Sequence, residues 1–279
     1  YFPNSPECAL ESRKLGLVTP EGVCELKQKT QLLAGKAEQH INISRMLELS
    51  ESRQLTDLAE MPAKRFHGVR IAVARDAAFS FIYRDNIRFL EHLGAEIIYF
   101  SPINDKKTPD GINGLMLFGG YPELFAEKLS ENRSMMQSIK EKIKSGLPII
   151  AECGGFMYLH DALAIDDKHT YPMVGVIPGK AFPTAKLQRF GYVRLYAKEN
   201  NLLCNKNEEL LAHEFHYWDS ENCGSGFKAV KESSGKQWDC VHAKENMYAG
   251  FPHLYFYANL SAALRFVEAC HKYGGNNDI

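Results

Sequence analysis

The stretch from Leu147 to Leu159 constrains this chain more than any other. After Gly146 it runs Leu147-Pro148-Ile149-Ile150-Ala151, an apolar segment with the length of a buried parallel strand. It then passes through Glu152-Cys153-Gly154-Gly155 into Phe156-Met157-Tyr158-Leu159, whose apolar spacing predicts a helix. A cysteine between a strand end and a helix start sits on a sharp turn that lifts its sulfur out of the sheet. The free N–H groups and positive dipole end of the helix favour thiolate over thiol there. Glycines beyond it let a substrate carbonyl approach. This is the strand–nucleophile–helix arrangement of serine hydrolases, with sulfur in place of oxygen. Such a turn stores strain, so Cys153 is expected outside the common backbone regions. The other reading of a free cysteine is a packed core thiol, and the two glycines after a strand favour the nucleophile.

Strand and helix patterns alternate ahead of this stretch. Residues 69–74 are predicted as a strand, 76–80 as a loop, and 83–93 as an amphipathic helix stopped by Gly94. Residues 95–101 and 115–118 are the next strands, and 130–144 reads as one charged helix ended by Gly146. That order predicts a doubly wound α/β sheet, whose ligand sites lie beyond the carboxyl ends of the strands. Asp76 to Ser80, Gly119 to Glu123 and Cys153 all fall there. The second half is expected to be β-rich, with strands at 191–196, 213–218, 227–230 and 248–250 before a closing helix at 261–270. Residues 1–65 differ from the rest. They offer an extended segment at 11–20, a helix opened by Pro20-Glu21-Gly22 and running through Leu26, Leu32 and Leu33, and a second helix at 42–49. Pro62 and Lys64-Arg65 close the region, which is too small to bury a core alone.

A net charge of −1 over 279 residues excludes an electrostatic case for nucleic acid or an anionic membrane as partner. Seven cysteines without a C-x-x-C pair point to reduced thiols in a cytoplasmic protein and away from a zinc knuckle. No apolar run reaches membrane-span length, and the first residues lack a signal-peptide pattern. The chain has no initiator Met and is expected to be a piece of a longer protein. Neither a phosphate-binding G-x-x-x-x-G-K-[ST] nor a G-x-G-x-x-G occurs, so no nucleotide cofactor is expected on this chain.

A thiol nucleophile needs a base, usually an imidazole. Of ten histidines, His253 has the best position, because it ends an aromatic strand and precedes the last helix. His160 is predicted on the helix that follows Cys153, pointing away from the turn. His213 and His216, three apart on an alternating strand, must point to opposite faces. Acyl transfer also needs N–H donors for an oxyanion. Gly119-Gly120-Tyr121 after a strand supplies one of them through Gly120 or Tyr121, and the amide of Gly154 supplies the other. The acidic pair Asp166-Asp167 reads as a solvated loop, and no metal site is predicted.

Five motifs occur in order: residues 71–79, Gly119-Gly120-Tyr121-Pro122-Glu123-Leu124, residues 151–159, Leu187-Gln188-Arg189-Phe190-Gly191-Tyr192 and His213-Glu214-Phe215-His216-Tyr217. Together they closely resemble the cobyrinic acid a,c-diamide synthase family, of the class I glutamine amidotransferases of the cobyric and cobyrinic acid type. The resemblance implies an α/β fold of class I glutamine amidotransferase type, a flavodoxin-like open sheet with helices on both faces and a β-rich C-terminal half. It implies the tail of a truncated N-terminal ATP-dependent synthetase domain plus linker at 1–66, matched by residues 12–18, a glutamine amidotransferase domain at 67–272 and a frayed tail at 273–279. It implies Cys153 as nucleophile forming a glutamyl thioester, and His253 as base, from the pattern Pro252-His253-Leu254-Tyr255-Phe256. Gly119, Gly120, Tyr121, Gly154, Arg189 and His213 are the implied oxyanion and glutamine-binding residues. ATP and magnesium would act on the absent N-terminal domain, where a corrin-type tetrapyrrole carboxylate is activated. Many class I glutaminases carry a Glu two residues after the His, a position occupied here by Tyr255, while Glu214 is available to orient an imidazole. Open alternatives are a nickel-sirohydrochlorin diamide synthase, an ATP-independent cysteine hydrolase of the same layout and a non-catalytic binding module. A homodimer also stays open.

Overall fold

Apolar runs flanked by turn residues place the strands, and the computed structural model, which describes residues 2–10, 23–51 and 65–275, shows how they assemble. The expected extended segment at 11–20, the helix opening at 20–22, the Pro62 and Lys64 boundary and the end of the tail, 276–279, lie outside the described residues. The chain divides into two units, Tyr1–Met61 and Pro62–Ile279. The first contains α1 (Leu26–His40) and α2 (Ile43–Ser50). Asn42 caps α2 by accepting the Arg45 N–H at 2.9 Å.

The second unit opens with β1 (Arg70–Ala74), α3 (Arg84–His92), β2 (Glu96–Phe100) and β3 (Gly114–Leu117). It continues through α4 (Ala126–Glu131), α5 (Arg133–Lys144), β4 (Ile149–Glu152) and α6 (Gly154–Tyr158). Strands β5 (His160–Ala164), β6 (Thr170–Pro172), β7 (Ile177–Ala197), β8 (Glu209–Ser220), β9 (Phe227–Val230) and β10 (Gln237–Cys240) follow. The end is formed by β11 (His242–Lys244), β12 (Met247–Gly250), β13 (His253–Leu254) and α7 (Leu260–Tyr273).

Two sheets result. In the first, β2, β1, β3, β4 and β12 lie side by side and parallel, with β11 antiparallel on the edge. The order 2-1-3-4 followed by the next parallel strand is that of flavodoxin-like sheets, as the sequence led one to expect. Strands β3, β4 and β12 are buried along their whole length, which is why they read as continuous apolar runs. In the second sheet β10, β9, β7, β5 and β6 are neighbours, β8 pairs with β7, and β13 pairs with β8.

Four sequence expectations are corrected. The helix expected at 130–144 is two helices, because Asn132 stops one and caps the next. Its side-chain oxygen accepts the Met135 N–H, while its side-chain nitrogen donates to the carbonyls of Pro102 and Asp105. The helix after Cys153 is only five residues long, so His160 stands on β5 and not on that helix. There its ring bonds the Phe156 carbonyl and the Ser220 hydroxyl, at 2.9 and 2.6 Å. Burial lowers its pKa to about 4, a neutral structural imidazole. The strand expected at 191–196 is the last part of a 21-residue strand. Its pairing with β8 shifts register twice, between Pro183 and Gln188 and between Gln188 and Gly191, which lets the strand run on past Pro183 and Gly191. Tyr273, expected to fray, closes α7 and its hydroxyl meets Ser145 Oγ at 3.0 Å.

Buried Asn86 on α3 ties the end of the chain to this scaffold. Its side-chain amide donates to the Leu254 carbonyl and accepts the Phe256 N–H, both at 2.8 Å. Asn86→Ala leaves both backbone groups unpaired and is expected to cost about 1–3 kcal/mol for each. Urea unfolding measures this, and a loss below about 0.5 kcal/mol would show that β13 is held by other contacts.

Candidate functional site

Cys153 has φ 47° and ψ −105°, a conformation that L-residues rarely adopt, between the end of β4 and the first residue of α6. The strain is held by the flanking backbone. The Cys153 N–H donates to Gly250 O on β12 at 2.8 Å, and the Gly155 N–H donates to Phe118 O after β3 at 3.0 Å. Glycine is required next to it. A Cβ on Gly154 would come within 2.9 Å of Pro122 Cδ and 3.1 Å of the Gly120 nitrogen.

The chain leaving β3 passes over this turn as Gly119-Gly120-Tyr121. The Gly119 carbonyl accepts the Phe81 N–H at 3.1 Å, and the Tyr121 N–H is spent on Ala78 O at 2.8 Å. Of the two donors expected on this loop, Tyr121 is therefore excluded. Among the described residues, the amides of Gly120 and Gly154 donate to no backbone or side-chain acceptor. Two unspent N–H groups beside a cysteine can receive an oxyanion.

His253 lies on β13, opposite His213 in register. It is buried, with Phe81 packed edge-on at 5.1 Å between ring centres and Tyr83 at 6.5 Å. A Cβ on Gly119 would reach 2.7 Å from its Cε1, so the glycine makes room for the ring. Burial works against the imidazolium, but the Cys153 sulfur and the Glu152 carboxylate beside the ring outweigh it and push the His253 pKa up to about 10. Cysteine and imidazole are thus brought together.

Tyr255 turns away, its hydroxyl donating to Asp85 Oδ2 at 3.2 Å. Glu214 orients His216 and not His253: His216 Nε2 meets Glu214 Oε2 at 2.8 Å, and Nδ1 meets the Trp218 carbonyl at 2.6 Å. With both nitrogens engaged and its ring stacked on Phe251 at 4.0 Å, His216 has no capacity to act as base. His213, on the opposite face of β8, is half-buried with Phe190 and Tyr192 edge-on to it. Burial and the nearby His253 lower its pKa. Arg189 pairs with Asp219 and, at 3.4 Å, with Glu214, and its guanidinium lies 5.7 Å from the Phe251 ring centre. Its Nη1 donates to no acceptor among the described residues.

The residue that sequence reasoning passed over is Glu152. It is fully buried, Oε1 accepts the Leu254 N–H at 3.1 Å, and Oε2 lies 3.4 Å from His253 Nδ1. The available signal was an acid closing an apolar strand directly before the cysteine. Among the described residues no group of three or more His, Cys, Asp or Glu side chains is placed to hold a metal ion, and no helix is long and apolar enough to cross a membrane.

A strained cysteine at the end of a central parallel strand, with imidazole and free amides around it, defines an α/β protein of glutamine amidotransferase type. Residues 70–260 match the model of the CobB/CobQ-like glutamine amidotransferase domain, and the chain belongs to that family. It is 36% identical over 276 residues to the cobyrinate a,c-diamide synthase of Caldanaerobacter subterraneus subsp. tengcongensis, covering 98% of this chain and 61% of that one. It is 38% identical over 275 residues to the enzyme of the same name from Listeria innocua, covering 96% and 60%. The chain thus spans about three-fifths of the length of these relatives. Among solved structures, PurLQS from Thermotoga maritima shares the fold, with a TM-score of 0.51 and 17% identity over 74% of this chain and 98% of that one.

The raised His253 pKa has a consequence for stability. A group that binds its proton more tightly when folded stabilises fully below its unfolded pKa of about 6.5. That contribution is lost as pH rises toward about 10. Melting temperature is therefore expected to fall over this window, and to fall less steeply in His253→Gln. Equal slopes in the two proteins would contradict the assignment.

Proposed function

We propose that this chain hydrolyses glutamine through a cysteinyl thioester and supplies the ammonia for ATP-dependent a,c-diamidation of cobyrinic acid in cobalamin biosynthesis. The observation that carries the reading is the Cys153 turn itself, with His253 beside it and the amides of Gly120 and Gly154 unspent. The relatives' names support the acceptor. The ATP- and magnesium-dependent activation of the corrin-type carboxylate is assigned to sequence outside this chain.

The Cys153 thiolate attacks the side-chain carbonyl carbon of glutamine, forming a C–S bond, and the oxyanion is received by the Gly120 and Gly154 amides. Collapse of this intermediate breaks the C–N bond, and the His253 imidazolium gives its proton to the leaving nitrogen, releasing ammonia. The now neutral imidazole takes a proton from water as it attacks the thioester. Glutamate leaves, and the thiolate and imidazolium are restored. Gly119 gives the ring its room. His213 and the free Nη1 of Arg189 are assigned to the amino-acid end of glutamine, where the guanidinium would meet the α-carboxylate.

Cys153→Ala is expected to abolish glutamine hydrolysis while leaving the circular dichroism spectrum unchanged; retained activity would sink the proposal. His253→Ala is expected to lower the rate about 10²–10⁴-fold. Arg189→Ala is expected to raise KM for glutamine with a smaller effect on kcat, and an unchanged KM would remove Arg189 from the glutamine contacts.

A further inference from the structure

Many hydrolytic dyads are completed by a carboxylate that fixes the imidazole, and both carboxylates suggested by sequence position fail here: Glu214 is committed to His216, and the place two residues after His253 holds Tyr255, bonded to Asp85. The carboxylate that does reach His253 comes from the other side of the nucleophile. We propose that Glu152 is the third member of the site, a positioning residue that holds the His253 ring with Nδ1–H toward its carboxylate and Nε2 toward the Cys153 sulfur. This rests on the glutaminase reading of Cys153 and His253.

Two features separate this from a purely structural role. The structural task, accepting the Leu254 N–H, takes only Oε1. Among the described residues the second oxygen, Oε2, is buried without a hydrogen-bond partner, and so is His253 Nδ1, and these two atoms face each other at 3.4 Å. A buried carboxylate oxygen left alone is costly. Two complementary orphan atoms at this spacing are the resting form of a charge-assisted hydrogen bond that tightens when substrate closes the site. The chain position reinforces this. Glu152 ends β4 and Cys153 follows it, so one stretch of backbone sets both the sulfur and the group that aims the base. The titratable groups facing this unit are Cys153, Tyr83 and Tyr248, with His213 opposite His253.

Glu152→Gln in the intact chain is the test. An amide keeps the shape, and its oxygen still accepts the Leu254 N–H. Its NH₂ then faces Nδ1 and favours the tautomer with Nε2–H toward the sulfur, which cannot take a proton. Glutamine hydrolysis is expected to lose on the order of 10²–10⁴-fold in kcat, with KM changed less than about threefold. The pH profile of Cys153 alkylation by iodoacetamide is expected to move to higher pH, a change that loss of packing alone would not produce. Unchanged kcat and an unchanged alkylation profile would overturn the proposal. Nitrogen-15 NMR of His253 in the unsubstituted protein gives a second reading that needs no variant. Protonated Nδ1 between about pH 6 and 8 is expected, and an unprotonated Nδ1 overturns the proposal. The two levels separate cleanly. If Cys153→Ala and His253→Ala spare hydrolysis, the glutaminase reading falls; if they abolish it and Glu152→Gln does not, only the role of Glu152 falls.

Discussion

The site depends on a seam between two sheets. Cys153 belongs to the parallel sheet through β4, while His253 belongs to the second sheet through β13, a strand of two residues. So short a strand cannot hold a side chain in place by its own ladder. It is fixed from three directions: register with β8, the Asn86 side chain on α3, and the bond from Leu254 N–H to Glu152. The last of these crosses the seam. It places the imidazole against Glu152, the residue that precedes Cys153. The strained backbone of Cys153, worth on the order of 1–3 kcal/mol, is sustained because β3 and β12 grip the turn on either side.

Behind the seam lies a largely buried polar layer. Glu214, His216, Arg189 and Asp219 bond one another, and the His216 ring stacks on Phe251, two residues before His253. Charges this buried are tolerated because each is paired. Their geometric effect is to hold Phe251 and the start of β13 against the parallel sheet. The 21-residue β7 makes this possible by pairing with β5 at one end and with β9 at the other, so one strand spans the second sheet.

Much of this was legible in the residues. The parallel sheet could be read because strands buried on both faces are plain apolar runs, and the Cys153 turn because a cysteine and two glycines directly follow such a run. His253 was legible from its place at the end of an aromatic strand and from the family pattern. The second sheet was less so. Pro178, Gly179, Pro183 and Gly191 punctuate β7, and local rules treat such residues as breaks, whereas register shifts against β5 and β8 absorb them. The helix after Cys153 was read as too long, which misplaced His160. Glu152 was invisible for a different reason. An acid at a strand end normally faces water, and nothing in periodicity announces one that is wholly buried against a histidine from a hundred residues away.

The most direct test of the account is to trap the acyl-enzyme. Mixing the protein with glutamine, quenching rapidly in acid and mapping peptides by mass spectrometry reads which sulfur carries a γ-glutamyl group. That adduct is expected on the peptide containing Cys153, and on none of those containing Cys8, Cys24, Cys204, Cys223, Cys240 or Cys270. Ammonia release with the adduct on another cysteine, or with Cys153 unmodified throughout turnover, would contradict it.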